Sequence, residues 1–140
     1  MHTFTEVLGQ TMAMIDADGA DPDGPATRRG LMLAAHAGLT VGRCQAAAID
    51  WDLYAVAVSD AVAALHADLP TAPVLDADVP DAGEDDPQLR ALIRTLVGML
   101  ADRYAAAAAG FDGGPGETPW RRLVWAEVAH RLDDAAAQLS

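Results

Sequence analysis

The stretch VGRCQAAAIDWDLYAVAVSDAVAALHADL, residues 41–69, decides the fold. Within it Val41, Cys44, Ala48, Trp51, Ala55, Val58, Val62, Leu65 and Leu69 follow one another at alternating steps of three and four. Apolar residues that return once per turn make the seam of an amphipathic α-helix. The seam passes through Asp50, Trp51 and Asp52 without a miss. No part of the chain shows the every-second-residue alternation of a half-buried strand.

Backward from Val41 the same rhythm continues through Ala37 and Ala34 to Gly30, now carried by small residues. Gly38, Thr40 and Gly42 each weaken a helix, so a break or kink is expected between Gly38 and Gly42, with a single unbroken helix as the alternative. That gives helices over about 26–37 and about 41–69, with Pro25 suited to a first helical turn. Gly38 and Gly42 also form a small-residue pair four apart, which predicts close helix packing. At the start of the chain Thr3 and Glu6 make a capping box. Phe4, Val7, Leu8, Met12 and Ile15 then place a helix over about 4–17.

Forward from Leu69, Pro70 to Pro87 contains four prolines, with six acids between Asp76 and Asp86 and no apolar period. A segment of that composition does not bury enough to order itself, so 70–86 is expected to be a flexible crossover. Asp86 and Pro87 open the next helix as cap and first residue. Leu89, Leu92, Ile93, Leu96, Leu100, Tyr104 and Ala107 line one of its faces, and Gly110 closes it. After a glycine-rich loop, Thr118 and Pro119 open a last helix ending near Leu139. The expectation is an all-α, single-domain bundle of four to five helices, over about 4–17, 26–37, 41–69, 87–109 and 119–139, with one long acidic, proline-rich crossover at 70–87.

The whole chain has 140 residues, of which 51% are apolar and 5% aromatic, and a formal charge of −12. That is enough apolar material for one compact core. The charge is uneven: residues 1–86 hold fifteen acids against three arginines, whereas residues 87–140 hold six of each. Nucleic-acid binding draws on neutralised phosphates, so a nucleic-acid partner is not expected. Cys44 is the single cysteine, which excludes an internal disulfide and a cysteine-based zinc site. No secretory signal is visible after Met1, and the most apolar stretch, 31–49, carries His36, Arg43 and Gln45. A soluble, cytoplasmic protein without membrane contact is expected.

Candidate chemistry is sparse. Glu127 and His130 form the Glu-x-x-His element of di-iron bundles, which needs a second such element and further glutamates. The chain has four glutamates, and Glu84 and Glu117 fall in predicted loops. On a helical wheel His130 points almost opposite the core-facing set of Trp120, Val124, Val128 and Leu132, so a metal is expected at neither residue. The aspartates from Asp16 to Asp23 match no EF-hand register. Arg29 and His36 stand almost two turns apart on one helical face. This spacing resembles the arginine–histidine element of HEPN-type ribonucleases, an all-helical and usually dimeric family. The resemblance implies that Arg29 and His36 meet an RNA phosphate across two protomers. Here, however, the pair sits in the second helix instead of late in the bundle, and the acidic surface opposes RNA.

Trp51, Tyr54, Tyr104 and Trp120, with His36 and His66 near helix seams, are candidates for lining an apolar ligand pocket. On the last helix Trp125 lies about 70° from the apolar centre and Leu123 about 130° away on the other flank. That helix has more apolar surface than one core face requires, and exposed apolar patches mark contacts. No catalytic constellation and no cofactor motif emerges. The expected function is a non-catalytic interaction protein, self-associating as a homodimer through Leu123 and Trp125 or binding another protein. The alternatives are a bundle holding a small apolar ligand or metal, with or without enzymatic activity, and a HEPN-like ribonuclease.

Overall fold

The computed structural model describes residues 3–17, 24–42, 49–66, 79–83, 86–110 and 119–139. They form five helices: α1 (Phe4–Ala17), α2 (Pro25–Gly42), α3 (Ile49–His66), α4 (Pro87–Ala109) and α5 (Pro119–Gln138). No strand occurs among the described residues. The chain is an all-α bundle.

Local chemistry sets several helix ends. The Glu6 amide donates to Thr3 Oγ1, and the Thr3 amide donates to Glu6 Oε2, both at 3.2 Å, so the capping box opens α1. At its other end Arg103 Nη2 donates to the Ile15 carbonyl at 2.7 Å. A cation there meets the negative end of the helix dipole. Asp86, in extended conformation, accepts from the Gln88 amide at 2.7 Å ahead of α4, and Gly110 closes that helix onto the Ala106 carbonyl.

The expected break between Gly38 and Gly42 is not there. α2 runs unbroken from Pro25 to Gly42, so Val41 belongs to α2 while Trp51 belongs to α3. The cause is packing. A Cβ on Gly38 would stand 3.0 Å from Tyr54 Cε1 and 3.4 Å from Ala55 Cβ. The Tyr54 hydroxyl donates to the Ala34 carbonyl at 2.8 Å. This close seat against α3 outweighs the ~1 kcal/mol helix penalty of a glycine. Residues 43–48, including Cys44, lie outside the described residues.

α2 packs against α1, α3 and α4, and α5 packs against α3 and α4. The four longer helices therefore form a ring in the order α2, α3, α5, α4, with α1 laid along α2 and α4. Gly30 permits the triple junction, because a Cβ there would meet Ile15, Leu100 and Leu96. α3 and α4 begin at the same end, where Asp50 Oδ2 pairs with Arg90 Nη1 at 3.1 Å. One continuous core joins Leu8, Leu33, Trp51, Leu96 and Leu132 from all five helices.

Residues 79–83 are the described part of the crossover. They dock on α2, against the expectation that 70–86 lacks order. The Ala82 amide donates to Thr40 Oγ1 at 3.0 Å, His36 Nε2 donates to the Pro80 carbonyl at 2.9 Å, and Val79 and Ala82 rest on the core. Partners supplied by α2 hold a segment whose own composition could not. No helix among the described residues is long and apolar enough to cross a membrane.

Candidate functional site

The structure scatters the residues considered for a ligand pocket. Trp51 and Tyr54 are fully buried on α3 and meet edge to face, with ring centroids 5.4 Å apart. The Arg90 guanidinium lies 5.6 Å from the Trp51 ring centroid, and Asp50 holds that arginine in place. Trp51 Nε1 is buried without a hydrogen-bond partner among the described residues. Burial alone pushes the Tyr54 phenol far above its ordinary range. Tyr104 is buried on α4. His36 stacks on Phe4 of α1, with centroids 6.2 Å apart. His66 ends α3, and its side chain lies outside the described residues.

On α5 two tryptophans change places relative to the sequence reading. Trp125, expected on an exposed flank, is only 7% exposed, whereas Trp120, expected in the core, is 56% exposed. α5 packs against both α3 and α4, so its buried arc is wider than a single contact would make it, and Trp125 falls within it. Arg121 covers the Trp125 ring at 5.0 Å. Trp120 lies about 70° to the other side of the same apolar centre and stands in the first turn, at the bundle end where α4 finishes. Leu123 is exposed beside it, three residues on.

Glu127 and His130 lie on the solvent side of α5. Glu127 accepts from Arg131 Nε at 2.8 Å, and His130 Nε2 stands 3.7 Å from Asp134. The hydrogen bond from Arg131 to Glu127, with their charge attraction, raises the Arg131 pKa. No group of three or more metal-ligating side chains converges among the described residues. Arg29 and His36, the pair resembling the ribonuclease element, both serve packing contacts. Arg29 Nε donates to Thr11 Oγ1 at 3.3 Å, and His36 clasps Pro80.

The feature that the sequence reading missed lies on α3. Ile49, Leu53 and Val56, at i, i+4 and i+7, face outward at 70%, 48% and 60% exposure. Leu39 of α2 is exposed as well. Between the two helices lies an apolar depression of about 140 Å³ lined by Ala35, Leu39, Ala55, Ser59 and Val62. None of the six residues considered for a pocket lines it. A wheel of 49–66 carries the signal, since apolar residues occupy both the seam of Trp51, Val58 and Leu65 and the opposite side.

The charge of this face is one-sided. From Gly30 to Thr40 and from Ile49 to Ala63 the ionised residues are Asp50, Asp52 and Asp60. Asp50 is taken up by Arg90, which leaves the exposed Asp52 and Asp60 flanking the stripe. No protein-family model, curated protein or solved structure matches the chain.

Proposed function

We propose that this protein is a non-catalytic helical-bundle interaction protein that presents exposed apolar helix surface to another polypeptide. The observation that carries the reading is the outward stripe of Ile49, Leu53 and Val56. An isolated exposed leucine needs no explanation, but a run at helical spacing marks a contact surface. The acidic half of the chain repels nucleic acid and favours a protein partner. The single cysteine accords with a reducing, cytoplasmic setting.

Self-association belongs to the same proposal and runs through the first turns of α5. Leu123 retains its expected part, and Trp120 replaces the buried Trp125 as aromatic anchor. Sedimentation equilibrium at tens of micromolar tests it. The wild type is expected to sediment as a dimer, and the Trp120→Ser, Leu123→Ser double variant as a folded monomer. A monomeric wild type overturns the self-association. Indifference of every binding measurement to charge placed on both α3 and α5 overturns the interaction reading itself.

A further inference from the structure

We infer that residues 79–83 are an internal ligand: a strap that leaves its seat on α2 while the bundle stays folded, so that the vacated seat accepts a proline-containing extended peptide. The inference concerns neither α3 nor α5 and does not depend on the reading of those surfaces.

The seat is built before its occupant arrives. Thr40 Oγ1 donates to the His36 carbonyl at 3.0 Å, which leaves its lone pairs to accept from the Ala82 amide at 3.0 Å. The His36 ring stacks on Phe4, and its Nε2 meets the Pro80 carbonyl, a group that can only accept. α1 and α2 thus hold one donor and one acceptor in place without help from the strap. A site arranged in advance spends less of its binding energy on ordering.

What the seat reads is largely main chain. His36 takes a carbonyl and Thr40 takes the amide two residues further on, atoms that any peptide without proline at that second position supplies. Selection by side chain enters at Val79 and Ala82, which rest on the core, while Asp81 between them is exposed. Those two residues stand three apart, the repeat of a polyproline II helix. Pro80 fixes the φ that this conformation needs, and a segment stiff before it binds loses little entropy on docking. Gly83 then turns the chain at φ +90°, where a Cβ would touch nothing, so the glycine serves the shape of the strap and not its packing.

The strap is weakly anchored. It belongs to no helix or strand and none of its residues is fully buried, whereas Ile93, Leu96 and Leu100 of α4 are sealed from solvent. Segments with few buried apolar contacts open at a lower free energy than the core.

The test uses the full chain, isotope-labelled for NMR, and two peptides. One is acetyl-Val-Pro-Asp-Ala-Gly-amide, which repeats the strap; the other is N-methylated at its alanine and lacks the proton that Thr40 accepts. In the wild type the Ala82 amide is expected to be protected from hydrogen exchange at least about a hundredfold less than that of Leu96. In the Val79→Asp, Ala82→Asp double variant the strap is expected to lie off its seat with Leu96 still protected. The first peptide is then expected to bind with a Kd of about 1 mM and to shift the His36 and Thr40 resonances. The wild type is expected to bind it at least about tenfold more weakly, by the same factor as the protection of its Ala82 amide, because both report how often the seat is vacant.

Protection of Ala82 equal to that of Leu96, equal affinity of wild type and variant, equal binding of the N-methyl peptide, or unmoved His36 and Thr40 resonances in the variant overturns the proposal. A wild-type dimer that the double variant dissolves gives the seat to the strap of a second copy and overturns it as well. If the double variant loses the protection of Leu96, Ala82→Pro empties the seat by deleting the donor, and the same outcomes decide.

Discussion

α3 and α5 lie side by side in the bundle, yet they finish their outward surfaces in opposite ways. α5 dresses its solvent side with charges that answer one another: Arg131 to Glu127, and His130 beside Asp134. It also shields Trp125 beneath Arg121. α3 leaves Ile49, Leu53 and Val56 in water, with Asp52 and Asp60 beside them. Both helices face the same core, so folding does not require the difference. A helix that only has to be soluble looks like the middle of α5. The outer face of α3 is the surface that the bundle leaves unexplained, and it is where a contact is to be sought.

The sharpest test of what is inside and what is outside uses two tryptophans five residues apart. Trp125→Ala is expected to lose about 3–5 kcal/mol in urea unfolding, the range for emptying a buried aromatic site. The unpartnered Trp125 Nε1 pulls that figure toward its lower end, because its removal relieves a buried donor. Trp120→Ala is expected to lose at most about 1 kcal/mol, since more than half its surface is already in water. Equal losses would break the contrast and return Trp120 to the core.

The exchange of those two residues shows what the sequence carried and what it did not. Signals that act within one turn were legible: Thr3 with Glu6, Asp86 with Pro87, and Gly110 each mark an end where the structure has one. The Trp51, Val58 and Leu65 seam was legible because a repeating face needs no partner to be recognised. The continuity of α2 was not, because it depends on Tyr54 seated beside Gly38 and bonded to Ala34, twenty residues earlier in the chain. Likewise, a wheel angle states a direction and not how many neighbours lie there. For Trp125 two helices share that direction, and for Trp120 the bundle has ended. The docking of 79–83 on His36 and Thr40, and the Asp50–Arg90–Trp51 joint, span some forty residues and have no local signature. The exposed side of α3 was present in the sequence all along, as apolar residues on both faces of one helix.

The α2–α3 seat itself can be strained by addition. Gly38→Val pushes methyl groups toward a ring held by its own hydrogen bond. A loss of about 2–3 kcal/mol is expected, typical of overpacking with β-branching added. An unchanged urea midpoint would mean that Tyr54 swings aside and that α2 and α3 are not in rigid register. A gentler perturbation is Tyr54→Phe, which removes only the 2.8 Å bond to Ala34 and is expected to lose about 1 kcal/mol at neutral pH.

That substitution has a pH signature of definite sign. Burial raises the Tyr54 pKa in the folded chain above the ordinary 10.0. The unfolded chain therefore releases this proton first. The contribution of the neutral phenol is complete below about pH 10 and declines above it, by about 1.4 kcal/mol per pH unit. The wild type should thus lose stability above pH 10 more steeply than Tyr54→Phe. Parallel curves would show that this hydroxyl is reached by water.

The smallest effect falls on the dressed side of α5. Glu127→Gln removes the charge that Arg131 answers, but the pair is exposed and salt-screened, and such pairs contribute little. The thermal midpoint is expected to move by no more than about two degrees, and less at high salt.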